Sequence, residues 1–419
     1  MRILVVGRGG REHAIIWALK KSPQVKHIFC APGNGGIAEL AECVPIEEKQ
    51  FDEIADFAKK QAVDLVVIGP DDPLSEGIVD HLEAQGLKVY GPRANAAIIE
   101  GSKVFTKNLL KKYNIPTAAY ESFENYEEAS AYLRKQQIPI VIKADGLAAG
   151  KGVVVAQSLE EAENALREIM VDKVFGESGN KVVIEEFLTG QEMSILSFVD
   201  GETVKPMPAA QDHKQVFDGD KGPNTGGMGT YSPLSHIPQS IIDEAIETII
   251  KPTAAAMVNE GRPFRGVLFA GLMITPQGPK TIEFNARFGD PEAQVVLPRL
   301  ETDLLDIILA AMDGRLSELD IRWSDQAAVC VVAASGGYPA SYPKGLPISG
   351  LDQVREALVF HAGTAKKDGS LVTNGGRVLG VTALGASIKE AREKAYAELD
   401  RIRFDGMHYR TDIAKKALV

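Results

Sequence analysis

An α/β domain followed by α+β units is the fold class predicted by these 419 residues, and three observations predict it. Residues 1–101 alternate short apolar runs with amphipathic helical stretches, the pattern of a parallel sheet covered by helices on both faces. The middle of the chain carries a glycine-rich hairpin and long apolar runs joined by tight turns. The end returns to strands and helices with no internal repeat. The expected units are an N-terminal α/β domain over 1–101, a central domain over 102–326 with a compact lid at about 122–190, and a small C-terminal α+β domain over 327–419.

In the first unit, strands fall at 2–7, 28–30, 64–68 and 88–90, with helices from Glu12 to Lys20 and near 51–61 and 75–85. Ligands of parallel sheets sit at the carboxyl ends of the strands, where loops 7–10, 31–36 and 69–73 should gather. The first turn reads Gly-x-Gly-Gly. It lacks a third glycine, and Cys30-Ala-Pro replaces the acidic residue that a dinucleotide site would place at the second strand. A helix N-terminus holding the phosphate of a small substrate fits better, with Glu12 and His13 as polar neighbours. A lone histidine such as His13 reads equally as a packed helix-face residue.

Ser102 should cap a helix that ends before Asn114-Ile-Pro116, with lysines 103, 107, 111 and 112 forming a solvated face. Helical periodicity follows at 126–137 and 159–170. Between them an apolar strand delivers Lys143 into a turn containing Gly146, Gly150, Lys151 and Gly152, then a second apolar run at 153–155. Glycines let main-chain N–H groups approach an anion, and the lysines bring charge to it, so a polyphosphate is the expected ligand. The bland alternative is a solvated turn, and the element after it is a strand rather than the helix of a P-loop. A strand at 181–188 closes the lid.

Two antiparallel strands are expected within 192–209, then the motif Asp212-His-Lys214 and a polar glycine-rich loop at 217–229, too long for a plain connection. A helix at roughly 238–259 precedes strands at 266–275 and 280–284. The second strand runs into Glu283-Phe-Asn-Ala-Arg287, and alternation puts residues 283, 285 and 287 on one face. The carboxylate and amide oxygens suit Mg²⁺ or Mn²⁺, and Arg287 suits a carboxylate or phosphate. The competing reading is an exposed edge strand with salt bridges. Beyond it lie a strand at 328–333, a helix near 351–357, strands near 358–361 and 376–384, and a helix over 387–399, a third packing unit without obvious chemistry.

The net charge of −11 argues against a nucleic-acid surface, so an anionic ligand needs locally placed cations. No apolar run approaches the roughly 20 residues of a membrane helix, and the first residues read as a strand rather than a signal peptide. A cytoplasmic monomer is expected. Cys30, Cys43 and Cys330 form no metal-type cluster and are expected to be reduced.

With the lysine hairpin, Glu185-Glu-Phe-Leu188 and Glu283-x-Asn-x-Arg287 in this order, the chain resembles the ATP-grasp superfamily. The likeness is close at Gly9-Gly-Arg-Glu-His-Ala14, Ala31-Pro-Gly-Asn34, Asp212-His-Lys214, the loop 222–229, 283–294 and Tyr409-Arg-Thr-Asp412. On that ordered set it is similar to the phosphoribosylamine–glycine ligase (glycinamide ribonucleotide synthetase) family. The resemblance implies a pre-ATP-grasp, Rossmann-like first domain, an ATP-grasp core with a mobile lid, and ATP-dependent joining of glycine to 5-phosphoribosylamine through glycyl phosphate, with Mg²⁺ or Mn²⁺.

It also implies roles. Lys103 and Lys143, with Gly146, Gly150 and Lys151, are similar to groups that hold the ATP phosphates; Glu185, Glu186, Phe187 and Leu188 look like the hinge that meets adenine, with Glu192 on the ribose. Glu283 and Asn285 look like metal ligands. Arg287, Asp212 and Asp290 correspond to catalytic residues near the acyl phosphate and glycine, and Gly9, Gly10, Arg11, Glu12, Lys214, Asn224, Gly226 and Gly227 to substrate contacts. Two departures stand out: Gly271 where many relatives carry a second acidic metal ligand, and Arg8 in the first glycine turn. The alternatives are a bicarbonate-using ribonucleotide carboxylase and, from another class, a nucleotide-binding oxidoreductase.

Overall fold

The computed structural model describes residues 1–147 and 152–418. Its first sheet is parallel, in the order Glu42–Cys43, His27–Pro32, Arg2–Gly7, Leu65–Ile68, Val89–Tyr90. Ile3 to Val6 and Leu65 to Ile68 are buried on both faces, as continuous apolar runs under helices must be. The expected helix near 75–85 is two shorter ones, Asp71–Ser75 and Ile78–Ala84, because Gly77 turns left-handed at φ +92° between them.

The lid is a four-stranded antiparallel sheet, Tyr120–Phe123, Val182–Glu186, Ile140–Ala144, Val153–Ala156, under the helices Tyr126–Leu133 and Leu159–Met170. It has a core of its own, in which Leu133, Ile142, Leu166, Ile169 and Ile184 pack together. The rest of the molecule shares its cores across the chain: Val5 of the first sheet, Phe198 and Val267 of the central sheet, and Phe360 near the end belong to one cluster. A separately cored lid on a continuous body is the arrangement that lets the lid move as a unit.

The central sheet is antiparallel, Thr203–Pro206, Gln191–Asp200, Arg265–Thr275, Gly278–Asn285. Its covering helix is not regular over 238–259. A π-helical segment, Ile246–Ile250, separates Gln239–Ala245 from Lys251–Asn259, where Pro252 has no N–H to donate to the preceding turn.

The last part of the chain shares its sheet with two strands from the central region. That sheet runs Gln211–Asp212, Gly229–Ser232, Ala327–Ala334, Arg377–Gly385, Leu358–His361, so the two strands flanking the central glycine-rich loop form one side of it. The helix expected near 351–357 is only a 3₁₀ turn, Leu351–Gln353. Val354 goes extended, and the Arg355 N–H bonds to Glu398 at 2.7 Å instead of continuing a helix. No helix among the described residues is long and apolar enough to cross a membrane.

Candidate active site

The three loops of the first sheet do meet. The Gly33 N–H bonds to Gly7 O at 3.0 Å, the Gly69 N–H to Val6 O at 3.0 Å, and Asn34 Nδ2 to Arg8 O at 2.7 Å. Glu12, only 1% exposed, braces them from behind. Its carboxylate accepts from the Gly9 N–H at 2.7 Å and Arg11 Nε at 2.7 Å, and a Cβ at Gly7 or Gly69 would collide with it. Glu12 is therefore a support for the turn and does not itself face the cleft. Arg8 points away, onto Glu47 and Glu48, so its charge is spent at the surface. His13 is buried and accepts the His361 N–H on Nδ1 at 2.8 Å. Gly10 packs against Gln294 and Gly9 lies beside Asp290, joining this turn to the segment after Glu283.

On the lid side, Lys143 Nζ and Lys107 Nζ both pair with the Glu185 carboxylate, and all three side chains are almost wholly buried. Burial alone would raise the Glu185 carboxyl, but the two lysines hold it below its ordinary value. Lys107 also donates to Thr117 Oγ1 at 2.7 Å. It is thus no part of a solvated face, because the helix Lys103–Lys112 lays that side against the lid strand. Lys103, one turn earlier, reaches Gly146 O at 2.7 Å. Glu186 is exposed, pairs with Lys280 at 3.1 Å and accepts the Ala119 N–H at 3.0 Å. Phe187 and Leu188 stand just past the last paired residue of that strand, with Phe187 partly exposed. Gly150 and Lys151 lie outside the described residues.

The opposite wall is the strand Gly278–Asn285. Lys143 Nζ reaches across to Ile282 O at 3.2 Å, the carbonyl beside Glu283. Glu283 lies deep in the cleft yet keeps 41% of its side chain open, with Lys214 Nζ at 3.9 Å. Burial would raise its carboxyl, but Lys214, Lys143, Lys103 and Arg287 outweigh this and hold it below the ordinary range. Lys214 also approaches Glu192 at 3.4 Å. Asn285 Oδ1 accepts from Arg287 at 3.3 Å. Gly271 is the cross-strand partner of Glu283, so no side-chain oxygen stands directly opposite it on the neighbouring strand.

Arg287 is held by Glu100 at 2.8 Å and lies 3.8 Å from Asp71. Glu100 is pushed up to about 7 by burial, against the opposing pull of Arg287. Asp290 accepts the Arg11 N–H at 3.2 Å and pairs with Arg377 at 3.4 Å; despite burial, Arg377 and Arg11 keep its carboxyl low. Asp212 is different: burial and the nearby Glu292 carboxylate push it well above the ordinary range. Gly227, at φ +121°, packs directly on Asp212 and Pro291, where any Cβ would come within 2.7 Å of an Asp212 oxygen. Arg377 donates to Gly226 O at 2.8 Å. Asn224 is exposed on the hairpin strand Lys221–Asn224.

Four residues of this constellation escaped the sequence reading. Lys107 and Glu100 sat on helices whose inward face is invisible without the partner. Glu292 stands in the quoted run 283–294 and could have been taken from it. Arg377 comes from the segment judged free of chemistry. Among the described residues no cluster of three His, Cys, Asp or Glu side chains could hold a metal alone. Glu283 and Asn285 still fit Mg²⁺, which is ordinarily bound by one or two side-chain oxygens together with substrate phosphates and water.

Comparison with known proteins covers the same ground. The family descriptions "Phosphoribosylglycinamide synthetase, N domain", "ATP-grasp (A) domain" and "C domain" match residues 1–100, 101–293 and 328–416. The phosphoribosylamine--glycine ligase of Caldanaerobacter subterraneus is 52% identical over 414 residues, 99% of each chain. That of Halalkalibacterium halodurans is 52% identical over 419 residues, 100% of this chain and 97% of the other. Among solved structures, phosphoribosylamine--glycine ligase from Thermotoga maritima has a TM-score of 0.88 at 37% identity, covering 99% of this chain and 100% of that one. A biotin carboxylase–β-γ-ATP complex from Campylobacter jejuni, with a TM-score of 0.74 at 14% identity over 99% and 98% of the two chains, shares the fold.

Proposed function

Because the chain belongs to the phosphoribosylglycinamide synthetase family, we propose that ATP, glycine and 5-phosphoribosylamine meet in the cleft between the lid and the strand Gly278–Asn285. The protein is an ATP-dependent carbon–nitrogen ligase of purine biosynthesis, joining glycine to 5-phosphoribosylamine to give glycinamide ribonucleotide, ADP and phosphate. Identity at this level sets aside the bicarbonate-using and dinucleotide-dependent alternatives. The observation that carries the placement is the Lys143 contact to Ile282 O, which brings the lid lysine next to the Glu283 carboxylate.

A glycine carboxylate is a poor electrophile. Transfer of the γ-phosphoryl group to one of its oxygens releases ADP and leaves glycyl phosphate; the ribosylamine nitrogen then attacks the carbonyl carbon, phosphate departs, and the nitrogen gives up a proton. Lys143 from the lid and Lys103 from the helix beside it hold the triphosphate, the hinge 185–188 takes adenine through main-chain groups, and Glu192 the ribose. The net positive charge of the two lysines on Glu185 is compensated when the nucleotide enters. Mg²⁺ or Mn²⁺ held by Glu283 and Asn285 supplies charge neutralisation for the phosphates. Arg287, fixed by Glu100, stabilises the transferring group. The Asp212 and Glu292 carboxyls suit the glycine ammonium, whose charge relieves their mutual repulsion. Asp290 and Arg11, with the Gly9–Gly10 turn, take the phosphoribosylamine, and lid closure keeps water from the acyl phosphate.

A cytoplasmic enzyme acting as a single copy fits this reading, since all the residues invoked belong to one chain. The test is ADP release on mixing with ATP, Mg²⁺ and glycine, with and without fresh 5-phosphoribosylamine. Release that needs both substrates supports the reading, and release indifferent to glycine would sink it.

A further inference from the structure

The hairpin Gln215–Phe217 and Lys221–Asn224 leaves the cleft at Lys214 and returns at Thr225, whose N–H and Oγ1 both bond to Lys214 O at 2.7 Å. Both ends therefore stand among the substrate-facing groups. Its tip, which in an ordinary hairpin would hang free, is gripped by the far end of the chain. Arg410 is wholly buried; it donates to Asp412 at 2.8 and 2.7 Å and to Gln215 O at 3.0 Å, and pairs with Asp220 at 3.0 Å. Asp412 also accepts the Gly219 N–H at 2.8 Å, and Asp218 accepts the Thr411 N–H at 2.8 Å together with its hydroxyl.

The grip is itself anchored. The Tyr396 hydroxyl of the helix Ile388–Leu399 donates to Arg410 O at 2.6 Å and accepts the Ile413 N–H at 3.1 Å. Ile413 packs on Gly229, where a Cβ would lie 2.8 Å from its side chain. Between hairpin and tail runs Asp212-His-Lys214. Asp212 and Lys214 turn to the cleft while His213, buried, turns to the opposite side and faces Gly229 O at 3.2 Å. A buried guanidinium satisfied by two carboxylates and a carbonyl has one geometry, and it transmits that geometry to what it holds.

We propose that Arg410, Thr411 and Asp412 form a positioning clamp: by holding the hairpin tip they fix Asp212, Lys214 and the Gly226–Gly227 turn, and so set the glycine half of the site. The clamp touches no substrate and leaves the nucleotide half, built on the lid, untouched. It rests on the ligase reading for which substrate is affected, though not for the hairpin's mobility.

Asp218→Ala removes the exposed partner of Thr411 and spares the buried arginine, so the fold is kept. The expected results are faster hydrogen exchange of the 215–224 amides, a fall of about tenfold or more in kcat/KM for glycine, and Mg·ADP affinity within about twofold of the parent. Arg410→Lys should lose less than Arg410→Ala in the same measurement. Unchanged kcat/KM for glycine, or an equal loss of Mg·ADP binding, overturns the clamp. If the parent itself shows no glycine-dependent ADP release, the ligase reading has failed, while hydrogen exchange still decides whether the tail restrains the hairpin.

Discussion

The two walls of the cleft handle charge in opposite ways. Where the lid meets the helix Lys103–Lys112, Lys107 and Lys143 enclose Glu185 with side chains only 5–6% exposed, so that carboxylate is already answered. On the facing strand, Glu283 and Lys214 are 41% and 35% exposed and stand 3.9 Å apart, too far for a settled pair. A buried, closed ion cluster is mostly architecture, expensive to break from one side. Open charges at the bottom of a cleft keep most of their interaction free energy for a ligand. The difference separates Lys107 and Glu185, which shape the site, from Glu283 and Lys214, which wait for its occupants, while Lys143 joins the two walls through Ile282 O.

Substitutions on the two walls should therefore fail differently. Glu283→Ala is expected to have the largest effect on rate, a loss of about a hundredfold to a thousandfold in kcat, because it removes the oxygen proposed to hold the metal, with the melting temperature barely changed. Steady-state ADP release over a range of Mg²⁺ concentrations checks this, and full activity at limiting Mg²⁺ would erase the contrast. Glu185→Gln should act through the fold instead. Leaving two lysines buried without their carboxylate costs about 3–5 kcal/mol of local stability. Protection of the lid amides against exchange should collapse while the body keeps its own.

Glu100→Gln sharpens the comparison, since Glu100 is buried like Glu185 yet its partner is Arg287, which keeps 17% of its side chain exposed. Turnover should drop about tenfold as Arg287 loses its charged anchor. Stability should move the other way. The folded carboxyl, raised to about 7, contributes stability that is fully present below its unfolded value and is lost as pH rises through 7. The variant should thus melt higher than the parent at pH 8 and show little difference at pH 4.5.

The smallest effect belongs to His13, held at about 3 by burial and by His361. A depressed histidine stabilises above its unfolded value of about 6.5, and that contribution fades as pH falls toward 3. His13→Gln, which keeps an acceptor for the His361 N–H, should flatten the parent's loss of melting temperature between pH 6.5 and 4. An unchanged slope would remove His13 from the account of acid sensitivity.

Much of this was legible beforehand. The alternating strands and helices of residues 1–101, the Ser102 cap and the helix Leu159–Met170 follow from period and capping, which are local properties. The motif around Glu283, Asn285 and Arg287 could be placed on one strand face because alternation is fixed by the backbone. Failures came where a partner far along the chain decided the outcome. The stretch 351–357 has helical composition, yet Glu398 captures the Arg355 N–H. The segment around Arg377 looked inert because its targets, Asp290 and the Gly226 carbonyl, arrive only when the last sheet forms.

Lys103 and Lys107 mark the boundary between the two kinds of knowledge. Their spacing alone puts them on one face of one helix, and a sequence can say no more, because helical geometry specifies direction and not what lies there. Folding decided the rest. The lid strand brought Glu185 against Lys107, while Lys103 found, among the described residues, only the Gly146 carbonyl, so one lysine became framework and the other faces a site for an anion. Local period determines which way a side chain points; only long-range packing determines whether its charge is already answered.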